Sequence, residues 1–347
     1  MHSWQHLSVQ FTTNSNLVLL LHSGVSLQAT MSTFSTPPRP RPPPLALPKG
    51  FHSSGQLATP SNLATFEALA KNVIPTPNFT ALSYNVWMSH DNQLARHVNL
   101  IKYLHATLPS VIILQEVQPV LAETCRTVMG GRYFVSPFTY RYGNLTLVRK
   151  DVAEGEPTWR EVEFTTLMGR SGLVASFVTK TAKKFVIGNV HLESLNSKKV
   201  RRQQMGEMRD GLNGIVADLK MIGGDFNLDD RQVWGAWKKT KMGFEASSAS
   251  SESESPPTAL ENVSVEEELH PTYSDCWLAL DQDGVDGAVR YTYDGARNEL
   301  VKDRNEQMRY DRWLVSREQG AEYLEGIEVV REPEVSDHFG LKATFKF

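Results

Sequence analysis

Five short apolar runs in this chain border small clusters of polar residues, and the sharpest lies where the run ending at Ile222 gives way to Gly223-Gly224-Asp225-Phe226-Asn227-Leu228-Asp229. In a strand leaving a sheet, positions two apart project to the same side, so Asp225 and Asn227 face one mouth. A carboxylate there can hold or activate a water, and a neutral amide can donate hydrogen bonds to a developing oxyanion. Gly-Gly-Asp followed by Asn is also ordinary turn chemistry. The balance is tipped by four further clusters: Asn85, Gln115-Glu116, His191-Leu192-Glu193-Ser194 and Ser336-Asp337-His338.

The intervening sequence reads as alternating strands and helices. Residues 79–87 form a strand with Asn85 near its end, followed by a helix with Leu94, Val98, Ile101 and Leu104 at helical spacing. Residues 111–114 are continuously apolar, as a strand buried on both faces must be, and deliver Gln115 and Glu116 at their end. A helix over 120–129 follows, then short strands over 145–148, 162–166, 173–178 and 185–190, the last ending at His191. Residues 198–219 read as one long amphipathic helix with Met205, Met208, Leu212, Ile215 and Leu219 on one face, and with Arg201, Arg202 and Arg209 on a solvated one. The chain closes with strands over 310–315, 324–330 and 341–347. Strands outnumber helices and many are joined by short turns, so a mixed α+β layered sandwich is expected rather than a doubly wound sheet.

Composition bounds the rest. The first 66 residues contain no Asp or Glu and include Pro37-Pro38-Arg39-Pro40-Arg41-Pro42-Pro43-Pro44, which predicts a disordered, partly polyproline-like tail over 1–75. Two other readings stay open: an organelle transit peptide, which the scarcity of Arg disfavours, and a start of translation at Met31. The folded domain is placed at 76–347, with a flexible acidic insertion over 245–269 that carries seven acids and no Lys or Arg. Net charge is −3; without that insertion the remainder is +4, too modest to decide for or against nucleic acid. The two cysteines, Cys125 and Cys276, support neither a disulfide framework nor a cysteine-rich zinc site, and point to a reducing compartment. The apolar run at 17–21 is too short to span a membrane.

As chemistry, Glu116 is a hard oxygen ligand of the kind Mg²⁺ takes, Asp337 can supply another, and Asn85 can hold the ligand or a bound water. His338 can donate to a phosphate oxygen, with a carboxylate such as Asp311 fixing its orientation. Singly, each is as well explained as a turn or cap residue. Five such clusters in one chain are not.

These residues, with Ser83-Tyr84-Asn85, Leu114-Gln115-Glu116 and Gly224-Asp225-Phe226-Asn227 in order, resemble the motifs of the endonuclease/exonuclease/phosphatase superfamily. Within it the chain is most similar to the 5′-tyrosyl-DNA phosphodiesterases, through Met168-Gly169-Arg170, Arg202-Gln203-Gln204-Met205, Asn227-Leu228-Asp229-Asp230-Arg231, Tyr291-Thr292-Tyr293-Asp294 and Arg309-Tyr310-Asp311-Arg312. The resemblance covers 79–347 apart from the acidic insertion. It implies a four-layer α/β/β/α sandwich of two packed mixed β-sheets flanked by helices. It also implies Mg²⁺-dependent hydrolysis (Mn²⁺ as the alternative) of 5′-phosphotyrosyl DNA, single-stranded near the site, in the repair of topoisomerase–DNA adducts. The carried-over roles are Glu116, Asn85 and Asp337 for the metal, and Asp225, Asn227, His338, His191 and Asp311 for catalysis. Ser194 joins the phosphate, while Arg312, Tyr142, Arg170 and Tyr293 line the substrate groove. A monomer in the nucleus or cytoplasm is expected. Tyr84 and Phe226 depart from the usual residues at their motif positions, and Tyr293 stands where Trp is common, which bears on selectivity rather than on hydrolysis. The alternatives are another metal-dependent phosphodiesterase of this fold, acting on abasic DNA, poly(A), inositol phosphates or sphingolipid, and a non-catalytic interaction protein with the Pro-rich tail as its binding part.

Overall fold

The computed structural model describes three short strands within residues 9–28, and then residues 54–71, 78–139, 141–229, 272–280, 290–302, 304 and 306–347. The acidic insertion and the Asp230-Arg231 pair lie outside the described residues. The chain divides into two compact units, Met1–Ala46 and Leu47–Phe347. In the first, β1 (Val9–Phe11), β2 (Leu17–Leu20) and β3 (Ser26–Gln28) pair as an antiparallel meander.

The second unit opens with α1 (Ser54–Leu57) and α2 (Pro60–Lys71). Both fall in the stretch expected to be tail, yet Leu57, Phe66 and Ala70 are buried. Leu63, Phe66 and Ala70 have helical spacing, but the surrounding Ser, Thr and Pro mask it. The boundary expected at 76 therefore falls inside the folded unit.

One six-stranded sheet runs β16 (Leu324–Val330), β17 (Gly340–Phe345), β4 (Phe79–Asn85), β5 (Val111–Val117), β7 (Gly143–Arg149), β6 (Tyr133–Val135). The other runs β12 (Tyr273–Asp275), β15 (Asp311–Ser316), β11 (Leu219–Asp225), β10 (Lys184–His191), β9 (Ser171–Val178), β8 (Thr158–Glu163). Each has one parallel pair, β4 with β5 and β10 with β11. Parallel neighbours need a crossover, supplied by α3 (Gln93–Thr107) and α5 (Lys198–Leu212) respectively. A small ribbon of β13 (Tyr293–Asp294) and β14 (Gln307–Met308) completes the strands near the site.

Strand alternation builds three hydrophobic layers. Ala81, Val111 and Ile113 of the first sheet meet Ile187, Met221 and Trp313 of the second between the sheets. The opposite faces turn outward: Leu82, Ile112 and Leu114 pack on α3 and on α4 (Pro119–Met129), while Val186, Ile222 and Leu314 pack on Met205 and Met208 of α5. The outcome is the expected α/β/β/α sandwich.

Two expectations are corrected by packing. The long helix ends at Leu212; Asn213 leaves the helix, Gly214 turns left-handed at φ 77, and Leu219 opens β11 instead. Leu219 fits either pattern, and its place in the inter-sheet core decides for the strand. Arg201, expected on a solvated face, is 1% exposed, its guanidinium donating to the carbonyls of Glu193 and Leu195 at 2.8 Å each.

Candidate active site

Register places the chemistry. The parallel pairing of β10 with β11 sets His191 beside Asp225, and the antiparallel pairing of β11 with β15 sets Asp225 beside Asp311. Three polar residues thus form one row across the end of one sheet. On the other sheet Asn85 pairs with Gln115, and the β5 ladder slips between Leu114 and Val117, where Glu116 takes φ 58. Such a bulge re-aims a side chain, and a left-handed non-glycine residue costs about 1–2 kcal/mol.

The two glycines before Asp225 let β11 close up to its neighbours. A Cβ at Gly224, whose φ is 133, would lie 1.9 Å from the Val190 carbonyl oxygen, and one at Gly223 would lie 2.4 Å from the Trp313 ring. Asp225 emerges from this join almost fully buried. Its Oδ1 accepts from the Asn227 backbone N–H at 2.8 Å and its Oδ2 from Asn85 Nδ2 at 3.0 Å. Asn85 also reaches Glu116 Oε1 at 3.4 Å, so one amide spans the two sheets and joins both carboxylates. Asn227 itself adopts φ 49, and its amide donates to the Leu192 carbonyl at 3.0 Å.

Two histidines flank Asp225 in opposite charge states. His338 Nδ1 lies 2.8 Å from Asp311 Oδ2 and Nε2 lies 4.0 Å from Asp225 Oδ2. Burial works against its charged form, but Asp311 and Asp225 outweigh it and raise the ring well above the ordinary histidine value. His191 Nε2 lies 3.4 Å from Asp225 Oδ2 and 3.9 Å from Glu116 Oε1. Its Nδ1 meets Arg170 Nη1 at 2.5 Å and the Tyr142 hydroxyl at 3.3 Å. Guanidinium can only donate, so Nδ1 is the acceptor and Nε2 carries the hydrogen, aimed at Asp225. Burial, then Arg170 and His338, hold His191 well below its ordinary value, and the ring is neutral. Burial, with Asp311, raises Asp225 to about 7, against the pull of His338 and of its hydrogen bonds from Asn227 and Asn85.

Glu116 Oε2 accepts from the Met88 backbone N–H at 2.8 Å. Burial, and the like charge of the Glu116 carboxylate, raise Asp337 although His338 pulls it down. Arg96 is a cation near both, but its guanidinium is spent on the carbonyls of Val86, Trp87, Ser89, Asp91 and Val335. Two carboxylates repelling each other, with no side-chain cation among the described residues bonded to either, fit a hard divalent ion. Asp225, Asp311 and His338 also lie close enough to share an ion. A protonated imidazole cannot ligate, so that trio reads as a proton-holding chain.

Not every expected residue arrives. Ser194 is half-buried with its hydroxyl 3.1 Å from the Met168 sulfur. Tyr142 and Arg170 reach the cluster through His191, the guanidinium lying 5.1 Å over the Tyr142 ring. Arg312 is corrected: it is buried, pairs with Asp275 at 2.9 Å and donates to the Leu228 carbonyl, bracing the loop that carries Asn227. Tyr293 is corrected too. It is 4% exposed, with its hydroxyl taken by Arg304 and its ring packed on His338, leaving no open face for a base. The half-buried ring beside His338 is Tyr310, 6.1 Å away, whose phenol burial pushes up to about 12. Within its motif nothing but its place directly before Asp311 marks it out in the sequence.

No curated protein matches this chain in sequence. Among solved structures, a D. rerio TDP2 humanised by 14 mutations superposes with a TM-score of 0.59 at 21% identity, covering 78% of this chain and 100% of that one. D. rerio TDP2 complexed with a single-strand DNA product gives 0.58 at 20% identity over 78% and 99%. The human Nocturnin catalytic domain gives 0.55 at 13% identity over 79% and 95%. At such identities these likenesses speak for the fold. The model of the Endonuclease/Exonuclease/phosphatase family matches residues 82–338, well over half of the chain, and spans every cluster from Asn85 to His338. The chain belongs to that family.

Proposed function

We propose that this protein is a Mg²⁺-dependent phosphodiesterase that hydrolyses 5′-phosphotyrosyl DNA and leaves a 5′-phosphate. The observation that carries the hydrolytic part is the Asn85 amide joining Asp225 and Glu116 across the two sheets, with protonated His338 4.0 Å beyond. The substrate part rests on the motifs around Arg170 and Asp311 and on the likeness to D. rerio TDP2, which binds single-stranded DNA product.

Glu116 and Asp337, with Asn85 steadying Glu116, would hold the cation, which supplies positive charge to a bound phosphate when present. Asp225 orients the attacking water and takes its proton. As the new P–O bond forms, the bond to the tyrosyl oxygen breaks and that oxygen leaves as phenolate. A phenol pKa near ~10 makes this leaving group good without a strong general acid. His338, charged by its contact with Asp311, donates to the non-bridging oxygens, and one N–H of Asn227 remains for the same task. Neutral His191 keeps its Nε2–H toward Asp225 and steadies the carboxylate.

The test is a substrate panel of 5′-phosphotyrosyl DNA, abasic duplex and poly(A) with Mg²⁺, each repeated in EDTA. Cleavage of the phosphotyrosyl end, abolished by EDTA and restored by Mg²⁺, is expected. Preferred cleavage of abasic duplex or poly(A) would replace the substrate assignment, and full turnover in excess chelator would overturn the metal.

A further inference from the structure

Arg170 is held against His191 by a loop, residues 164–170, that has little apolar anchorage at its tip: Leu167 and Met168 are 84% and 38% exposed. Polar contacts fix it instead, and they converge on one buried carboxylate. Glu193 accepts from the Leu167 backbone N–H at 2.9 Å, from the Thr166 hydroxyl at 2.7 Å and from Gln204 Nε2 at 3.1 Å. The Thr166 hydroxyl in turn accepts the backbone N–H groups of Met168 at 3.1 Å and Arg170 at 2.9 Å. Glu193 is itself tied down, its N–H donating to Gln204 Oε1 and its carbonyl accepting from Arg201.

We propose that Glu193 is the positioning residue that aims Arg170 at His191, acting through Thr166. An ionised carboxylate only accepts, and here three donors face its two oxygens. Because Thr166 spends its single proton on Glu193, its lone pairs are free to receive Met168 and Arg170, which curls the loop and brings the Arg170 guanidinium to His191 Nδ1. Replacing one carboxylate oxygen by an amide NH₂ sets donor against donor and releases the curl. Helix α5 holds only the loop's start, through Glu207, Gln203 and Gln204 on Thr165, so it cannot substitute. Glu193 touches neither the reacting atoms nor the metal ligands.

This inference rests on the phosphodiesterase reading but not on the tyrosyl substrate, so the probe is bis(4-nitrophenyl) phosphate with Mg²⁺. Glu193→Gln and Thr166→Val should each lower kcat roughly tenfold with KM within about twofold. Neither should lower it further in an Arg170→Ala background, because residues acting as a unit are non-additive. The ¹⁵N shift of His191 Nδ1 should move in the same direction in all three variants, because only the Tyr142 hydroxyl at 3.3 Å is then left to donate to it. Thr166→Val, nearly isosteric, keeps the test open should Glu193→Gln fail to fold. Losses that multiply with Arg170→Ala, or an unmoved His191 signal, would overturn the positioning role while leaving hydrolysis intact. A wild-type protein that cleaves no phosphodiester would overturn the functional reading and this one with it.

Discussion

Asp225 must accept a proton from water and yet stay ionised beforehand, and its surroundings pull it both ways. Burial raises it to about 7, which makes it a stronger base than an exposed carboxylate. The neighbouring His338 charge and two hydrogen bonds stop it rising further. Since only the ionised form can take the proton, activity should climb with pH across the range where Asp225 deprotonates, and a bound cation shifts that limb lower. Asp225→Asn should cut kcat by ~10²-fold or more and flatten the limb, read from pH–rate profiles. His338→Ala removes a donor to the oxyanion and should cost ~10²-fold or more in kcat with little change in substrate Kd. Asp311→Asn should cost less, since the ring remains. A larger loss in Asp311→Asn than in His338→Ala would break this ordering. The gathering of Asp225, Asn227 and Glu116 at one edge was legible in the sequence because each ends or interrupts an apolar run. Arg312 and Tyr293 were misjudged because both lie in the right motifs, and only tertiary packing reveals that Asp275 claims one and His338 and Arg304 close off the other.

Helix α2 was lost in its compositional setting, and it carries a measurable signature. Phe66 stacks on His105 of α3 with rings 5.4 Å apart and 2° from parallel. Neither His105 ring nitrogen has a hydrogen-bond partner among the described residues, and burial, then Arg132, lowers the ring from 6.5 to about 4. The folded state therefore prefers neutral His105. Its contribution to stability is full above the unfolded value of 6.5 and is lost as pH falls toward about 4. His105→Phe should flatten the loss of denaturation midpoint between those limits, and an unchanged acid limb would refute the assignment. Most strand and helix positions were readable elsewhere because apolar periodicity changes between two and 3.6, although the strand expected over 162–166 lies at β8, Thr158–Glu163. Element ends, such as Leu212 and the Glu116 bulge, depend on which core claims a residue and leave no periodic trace.

At the scale of the molecule, the two compact units predict that removing residues 1–46 leaves phosphodiesterase turnover within a few-fold. Removing 1–71 should instead strip Leu57, Phe66 and Ala70 from the core over α3 and lower the thermal midpoint or solubility sharply; equal behaviour of the two truncations would mean that α2 contributes nothing. Deleting 246–268 should likewise leave turnover within a few-fold. Beneath the site the two sheets are bolted by amides. Gln115 donates to Asn189 at 2.9 Å, and Asn189 reaches the Leu114 and Leu145 carbonyls at 3.2 and 3.1 Å. At the far end the sheets meet through aromatic rings instead, with Phe79, Phe185 and Phe347 in mutual contact. Ring contacts permit sliding that directional amide bonds do not, so the sandwich behaves like a pair of boards dowelled at one end. Thermal expansion is then expected to begin at the aromatic end, so on warming the backbone amides around Phe79 and Phe185 should exchange with solvent sooner than those around Gln115 and Asn189.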